Sequence, residues 1–236
     1  MRSTVPVPAD YTSLNDWRGE VYRMKKLSGK HLHKGVLLLS ILLLALAIAG
    51  CGSKNANAGV KQLNKMPEME IDPNKTYSAE FHTSKGDFTI DLYASDAPTT
   101  VNNFIYLAKQ KFYDGVIFHR IIESFMIQTG DPTGSGSGGP GYNIPDELGS
   151  DHKYDVGTVA MANTGSPDSG GSQFFICTGP ECANLNLQPN YTIFGQVTAG
   201  MDTVTAIAKS PVIEDGYENS KPKDKITIDS IDIKEK

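Results

Sequence analysis

Cysteine is scarce in this chain, with three among 236 residues. A core must therefore form by burial, without a dense set of staples, and a domain of about 160 residues is long enough to do so. Tryptophan occurs once, at Trp17. No apolar run reaches the ~20 residues that a membrane-spanning helix needs. No dense Lys/Arg face or stacking array accompanies the net charge of -5, so nothing points to nucleic-acid binding. No G-x-S-x-G elbow occurs, and the five histidines, at 31, 33, 82, 119 and 152, lack metal-ligand spacing, which makes hydrolase and metal readings poor. There is no internal repeat.

What is present starts with a leucine-rich run from Gly35 to Gly50, preceded by Lys25, Lys26, Lys30, His31, His33 and Lys34 and closed by Ile48-Ala49-Gly50-Cys51. A basic start, a short apolar centre and small residues before a cut are the parts of a secretory signal. The Ile-Ala-Gly-Cys box resembles that of bacterial lipoproteins. The resemblance implies that Cys51 receives lipid and becomes the mature N-terminus, anchoring the protein to the cell membrane on the extracytoplasmic side; an uncleaved signal anchor is the alternative. Residues 1–23 are polar and read as an extension before the true start at Met24-Lys25-Lys26, with residues 24–50 as the signal. Residues 51–75 are rich in Ser, Asn, Lys, Gly and Pro and lack periodicity, so they are expected to form a flexible tether. Residues 76–236 remain as one domain.

Within that domain, Ser78 to Thr83 and Asp87 to Leu92 alternate apolar and polar residues around a Ser84-Lys85-Gly86 turn, which predicts a hairpin. Asp96-Ala97-Pro98 predicts a helix start with proline in the first turn, and Val101, Phe104, Ile105, Leu107 and Ala108 share one face until Tyr113-Asp114-Gly115. Further strands are expected from Phe118, over Phe125 to Gln128, Thr158 to Met161, Gln173 to Cys177, Ile193 to Val197 and Lys225 to Ile233, with a short helix from Met201 to Ala208. The class is mainly β, with an antiparallel sheet that must manage its edges. Composition does not choose between barrel and sandwich.

Two stretches set polar groups among large apolar residues at strand spacing. The first is Phe118-His119-Arg120-Ile121-Ile122 with Phe125-Met126-Ile127-Gln128-Thr129-Gly130-Asp131; the second is Met161-Ala162-Asn163 followed by Gly171-Ser172-Gln173-Phe174-Phe175-Ile176. Alternation places Arg120 opposite His119 and Ile121, Met126 with Gln128, and Gln173 with Phe175, while Phe174 and Ile176 face the other way. One face is core and the other is site. Together, over Thr76 to Ile233, these stretches resemble the cyclophilin family of peptidyl-prolyl isomerases. The resemblance implies a closed eight-stranded antiparallel β-barrel with an α-helix over each open end.

It also implies a reaction. Rotation about a peptide bond meets a barrier of about 18–20 kcal/mol because the nitrogen lone pair is shared with the carbonyl. No bond breaks, so the catalyst must bind the twisted amide more tightly than either planar isomer. Arg120 supplies a permanently charged, planar fork of donors. By resemblance, Phe125, Met126, Phe175 and Leu187 hold the proline ring, with Tyr191 where many family members carry histidine. Gln128, Asn163 and Gln173 are expected to bond the substrate backbone or to position Arg120, and Ala162 to line the adjoining groove. Asn186 falls where many members carry tryptophan, which predicts weak cyclosporin inhibition. His119 points away from the site and is given a structural role.

Gly134-Ser135-Gly136-Ser137-Gly138-Gly139 matches G-x-G-x-x-G, but Pro140-Gly141 follows instead of a helix, so a loop bordering the peptide groove is expected rather than a nucleotide site. Cys177 and Cys182 are left either as a core thiol or as a bridge. Neither a cofactor nor a metal is expected. The expected partners are proline-containing, unfolded exported polypeptides and, through the lipid on Cys51, the membrane; the protein itself is expected to be a monomer. A proline-peptide binding module or holdase, and an anchored adhesion protein, are the competing classes.

Overall fold

The predicted hairpin forms as β1 (Tyr77–Thr83) and β2 (Gly86–Leu92). Gly86 carries the positive φ of +119° that the turn requires. Alternation sends Ala79, Phe81, Phe88 and Ile90 into the core. The coordinates are a computed structural model that describes residue 63, residues 65–215 and residues 218–236. Residues 1–62, with the expected signal and Cys51, lie outside the described residues. No helix among the described residues is long and apolar enough to cross a membrane.

Helix α1 (Pro98–Lys109) follows, then β3 (Arg120–Ile122), β4 (Met126–Thr129), β5 (Thr158–Met161), β6 (Phe174–Cys177), a 3-10 helix (Pro180–Leu187) and β7 (Ile193–Ala199). Helix α2 (Met201–Ala208), a separate hairpin of β8 (Val212–Asp215) and β9 (Glu218–Pro222), and β10 (Ile228–Glu235) complete the chain. Eight antiparallel strands form one sheet in the order β10-β1-β2-β7-β5-β6-β4-β3. The fold is mainly β, as expected, but the closed barrel is corrected to an open ladder ending at β3 and β10. Between those ends lie an Ile117–Thr227 bridge and bonds from Gly115 N to Ile228 O, Ile228 N to Val116 O and Phe118 N to Ile226 O. The reason is local: β3 has only three residues, and β9 packs beside it.

Helix α1 buries Val101, Phe104, Ile105, Leu107 and Ala108, the face its periodicity marked. Phe104 meets Phe174 edge-on at 5.6 Å and Phe194 at 5.5 Å. Burying such a ring stabilises the fold by about 1.5–3 kcal/mol, and each well-placed aromatic pair adds about 0.5–1.5 kcal/mol. Helix and sheet therefore share one core behind β6. The helix starts with proline in its first turn, as expected, and its N-cap residue, Ala97, makes no side-chain cap bond. Instead the Glu147 carboxylate accepts from Thr99 N at 2.9 Å, Thr100 N at 2.8 Å and the Thr100 hydroxyl at 2.7 Å. An anion at a helix N-terminus also meets the positive end of the helix dipole. The helix stops at Lys109, earlier than expected, and Lys111 turns the chain with φ +55°.

The tether expected over residues 51–75 is corrected at its far end. Asn102, buried on α1, accepts from Glu70 N at 2.8 Å and donates to Glu68 O at 2.9 Å, and Ile71 is buried. These bonds hold a segment whose own composition gives it no reason to order.

Candidate active site

The sheet register lines up the site residues in one transverse row. Arg120 on β3 pairs with Gln128 on β4, Gln128 with Phe175 on β6, and Phe175 with Ala160 on β5. Alternation then sorts the faces. Ile121, Ile127, Phe174 and Ile176 enter the main core, whereas Met126, Phe175 and Cys177 enter a second cluster that includes Tyr154 and Ile193. Phe125, Ala162, Leu185 and Tyr191 pack against that cluster.

A cavity of about 280 Å³ opens on this second cluster. Its lining is Arg120, Phe125, Met126, Gln128, Ala162, Asn163, Phe175, Leu185 and Tyr191. The rings of Phe175 and Tyr191 meet edge-on at 5.4 Å and 90°. Tyr191 is held by its backbone: the buried Tyr154 hydroxyl donates to Tyr191 O at 2.6 Å and accepts from Tyr191 N at 3.1 Å. Sequence reasoning missed Tyr154, whose role follows from a clamp between chain positions far apart.

Leu187, expected against the ring, is corrected: it is 83% exposed and lines a neighbouring groove. Leu185 takes the place in the cavity. Both lie on the 3-10 helix, where three residues complete a turn, so positions two apart cannot share a direction. The helix is fixed to β6 by a Cys177–Cys182 disulfide with Cα atoms 5.7 Å apart, which resolves the open thiol question.

Arg120 does not bond Gln128 or Gln173. Its Nε donates to Glu218 Oε2 and its Nη2 to Glu218 Oε1, both at 2.7 Å, while Nη1 faces Met126 Sδ at 3.8 Å. Hydrogen bonds from Arg120 hold the Glu218 carboxyl below its ordinary pKa. Glu218 was not foreseen, because it stands in a polar segment without strand alternation, 98 residues from its partner.

A second polar chain runs from the row to the glycine loop. Gln128 Nε2 donates to Gln173 Oε1 at 2.9 Å, and Gln173 Nε2 donates to Gly138 O at 2.9 Å and Gly136 O at 3.1 Å. Residues 136–141 of that loop wall a larger cavity of about 820 Å³, which shares Gln128, Ala162 and Asn163 with the ring cavity, so the two form one continuous groove. The loop is organised by Asp131. Burial alone would raise its pKa, but bonds from Thr133, Gly138 and Gly136 outweigh that and hold it below the ordinary value. The loop thus borders the groove and opens no helix. Asn163 donates to Asn190 O at 2.8 Å, bracing the rim.

His119 lies outside the cavity lining. Its Nδ1 is buried without a hydrogen-bond partner, and burial lowers its pKa, which keeps the ring neutral. A half-buried imidazole beside Gly136, behind the groove lining and not part of it, fits a structural role. Among the described residues no group of His, Cys, Asp or Glu is arranged to hold a metal ion.

Comparison with known proteins gives a consistent result. The model of the family described as "Cyclophilin type peptidyl-prolyl cis-trans isomerase/CLD" matches residues 78–233. The peptidyl-prolyl cis-trans isomerase A of Mycobacterium tuberculosis (strain H37Rv) is 41% identical over 177 residues, 68% of this chain and 94% of that protein. The human peptidyl-prolyl cis-trans isomerase-like 3 is 43% identical over 144 residues, 59% of this chain and 87% of that protein. A crystal structure of a Cryptosporidium parvum cyclophilin-type isomerase aligns with a TM-score of 0.62 at 34% identity, covering 67% of this chain and 98% of that one. A second crystal structure of that protein, in the presence of the dipeptide Ala-Pro, aligns with a TM-score of 0.59.

Proposed function

Since the chain belongs to the cyclophilin-type peptidyl-prolyl cis-trans isomerases, we propose that it turns X-Pro bonds in its 280 Å³ cavity, with Arg120 as the donor that favours the twisted amide. Phe125, Met126, Phe175, Leu185 and Tyr191 grip the pyrrolidine ring. Arg120, at the cavity edge, donates to the prolyl carbonyl and assists as the imide nitrogen gains basicity on losing conjugation. Gln128, Gln173 and Asn163 take up the peptide backbone along the groove. No group with the pKa of a general base is required, and none is assigned.

The observation that carries this reading is one charged, multi-donor side chain in the lining of a cavity that sets Phe125, Met126, Phe175, Leu185 and Tyr191 beside Gln128 and Asn163, with Arg120 and Gln128 fixed opposite each other by the sheet register. Its clients are exported polypeptides, and the protein is anchored by lipid on Cys51, as the Ile-Ala-Gly-Cys box suggests. Two experiments test these parts. Refolding of a protein limited by a slow X-Pro phase should accelerate with the purified protein and not with its Arg120→Ala variant. Radiolabelled palmitate should enter the chain expressed in bacteria and fail to enter Cys51→Ser; equal labelling of both would remove the anchor.

A further inference from the structure

Arg120 is the sole arginine beyond residue 23, and two of its three guanidinium nitrogens are bound by one carboxylate. Glu218 opens β9, and the hairpin of β8 and β9 is not part of the eight-stranded sheet. Its placement beside β3 brings the carboxylate to the Nε and Nη2 edge of the fork. The remaining Nη1 faces Met126 Sδ, a wall of the ring cavity. A two-bond carboxylate pair fixes the plane of a guanidinium as well as its position, because the fork and the carboxylate match in shape. The side chains are 33% and 40% exposed, and an ion pair so open to water adds little to stability. Stability is thus a poor reason for the pair; aim is a better one.

We propose that Glu218 is a positioning residue for Arg120: gripping Nε and Nη2, it turns the Nη1 edge toward the prolyl amide before substrate arrives. The inference rests on the reading of Arg120 as the donor. An arginine has several rotatable bonds, and catalysis by a donor aimed at the transition state requires that it be held there in advance. The opposite role, a brake that hides the donor, would need the carboxylate on the cavity-facing edge, and it binds the other.

The test compares the purified wild-type protein with Glu218→Ala, Glu218→Gln, Arg120→Ala and the Glu218→Ala/Arg120→Ala double variant, using an Ala-Pro peptide with kcat and KM resolved. Glu218→Ala should lower kcat about tenfold with KM little changed, since only aim toward the transition state is lost. Glu218→Gln, which keeps one acceptor, should recover part of that loss. Removing Glu218 from Arg120→Ala should change nothing further, as expected for residues acting through one contact. The Arg120 Nε–H resonance, assigned by its loss in Arg120→Lys, should exchange slowly with water in the wild type and rapidly in Glu218→Ala. If Arg120→Ala is slow while Glu218→Ala matches or exceeds the wild type, the positioning role is wrong and the donor stands. If Arg120→Ala is as fast as the wild type, the donor reading falls and the proposal falls with it.

Discussion

Replacing Asp131 by asparagine should loosen the groove wall by an amount that the structure sets. Asp131 is 1% exposed. Its Oδ1 accepts from Thr133 N and the Thr133 hydroxyl, both at 2.7 Å, and its Oδ2 from Gly136 N at 2.6 Å, Gly138 N at 3.0 Å and the Ser135 hydroxyl at 3.3 Å. Asparagine turns one oxygen into an NH2 that faces donors, so at least two of these groups lose their acceptor. Each orphaned group costs about 1–3 kcal/mol, and water reaching the loop returns part of it, leaving a loss of about 2–4 kcal/mol. For a domain of this size that lowers Tm by about 5–15 °C. Function should follow, because Gly136 and Gly138 carbonyls hold Gln173, which holds Gln128; KM for a proline peptide should rise severalfold. The pH dependence has a fixed sign. A carboxyl held below its ordinary value of 3.8 contributes fully above that value and loses its contribution as pH falls through the lowered folded value. The wild-type and Asp131→Asn stabilities, measured by urea unfolding, should therefore differ by a constant amount between about pH 5 and 8 and converge at lower pH. A variant that melts within a degree of the wild type with unchanged KM would refute the reasoning.

Tyr154→Phe removes the hydroxyl that clamps both backbone groups of Tyr191, and should cost about 1–2 kcal/mol in urea unfolding while raising KM. Tyr191→Phe keeps the ring against Phe175 and should retain activity within about twofold, whereas Tyr191→Ala opens the pocket and should lose most of it; peptide kinetics on both separates ring packing from hydroxyl chemistry. Reducing Cys177–Cys182, which closes a loop of sequence separation 5, should lower stability by about 2 kcal/mol, read as a Tm shift between oxidised and reduced samples.

Much of the fold was legible where periodicity is strong. β5 and α2 match their expected bounds, and the first hairpin and the buried face of α1 follow from alternation and helical spacing. Legibility failed where order comes from distant partners. Glu147 caps α1 from 47 residues away, and nothing local marks it. The segment from Glu68 to Ile71 is polar and aperiodic yet held by Asn102. In β9 only Ser220 is buried, so no alternation announces the hairpin that carries Glu218. The site divided in the same way: period-two geometry groups Met126 with Gln128 and Gln173 with Phe175, whereas the row of Arg120, Gln128 and Phe175 needs the strand register, and Leu187 stands elsewhere because the segment bearing it is a 3-10 helix, whose directions differ from those of a strand.

The most direct test of the account is the cis-trans exchange rate of an Ala-Pro peptide, followed by NMR magnetisation exchange, with the purified protein and with Arg120→Ala. Uncatalysed exchange takes tens to hundreds of seconds. The wild type should accelerate exchange strongly and the folded variant should lose about a hundredfold of that, the scale of removing one donor aimed at a transition state. Equal acceleration by both would contradict it.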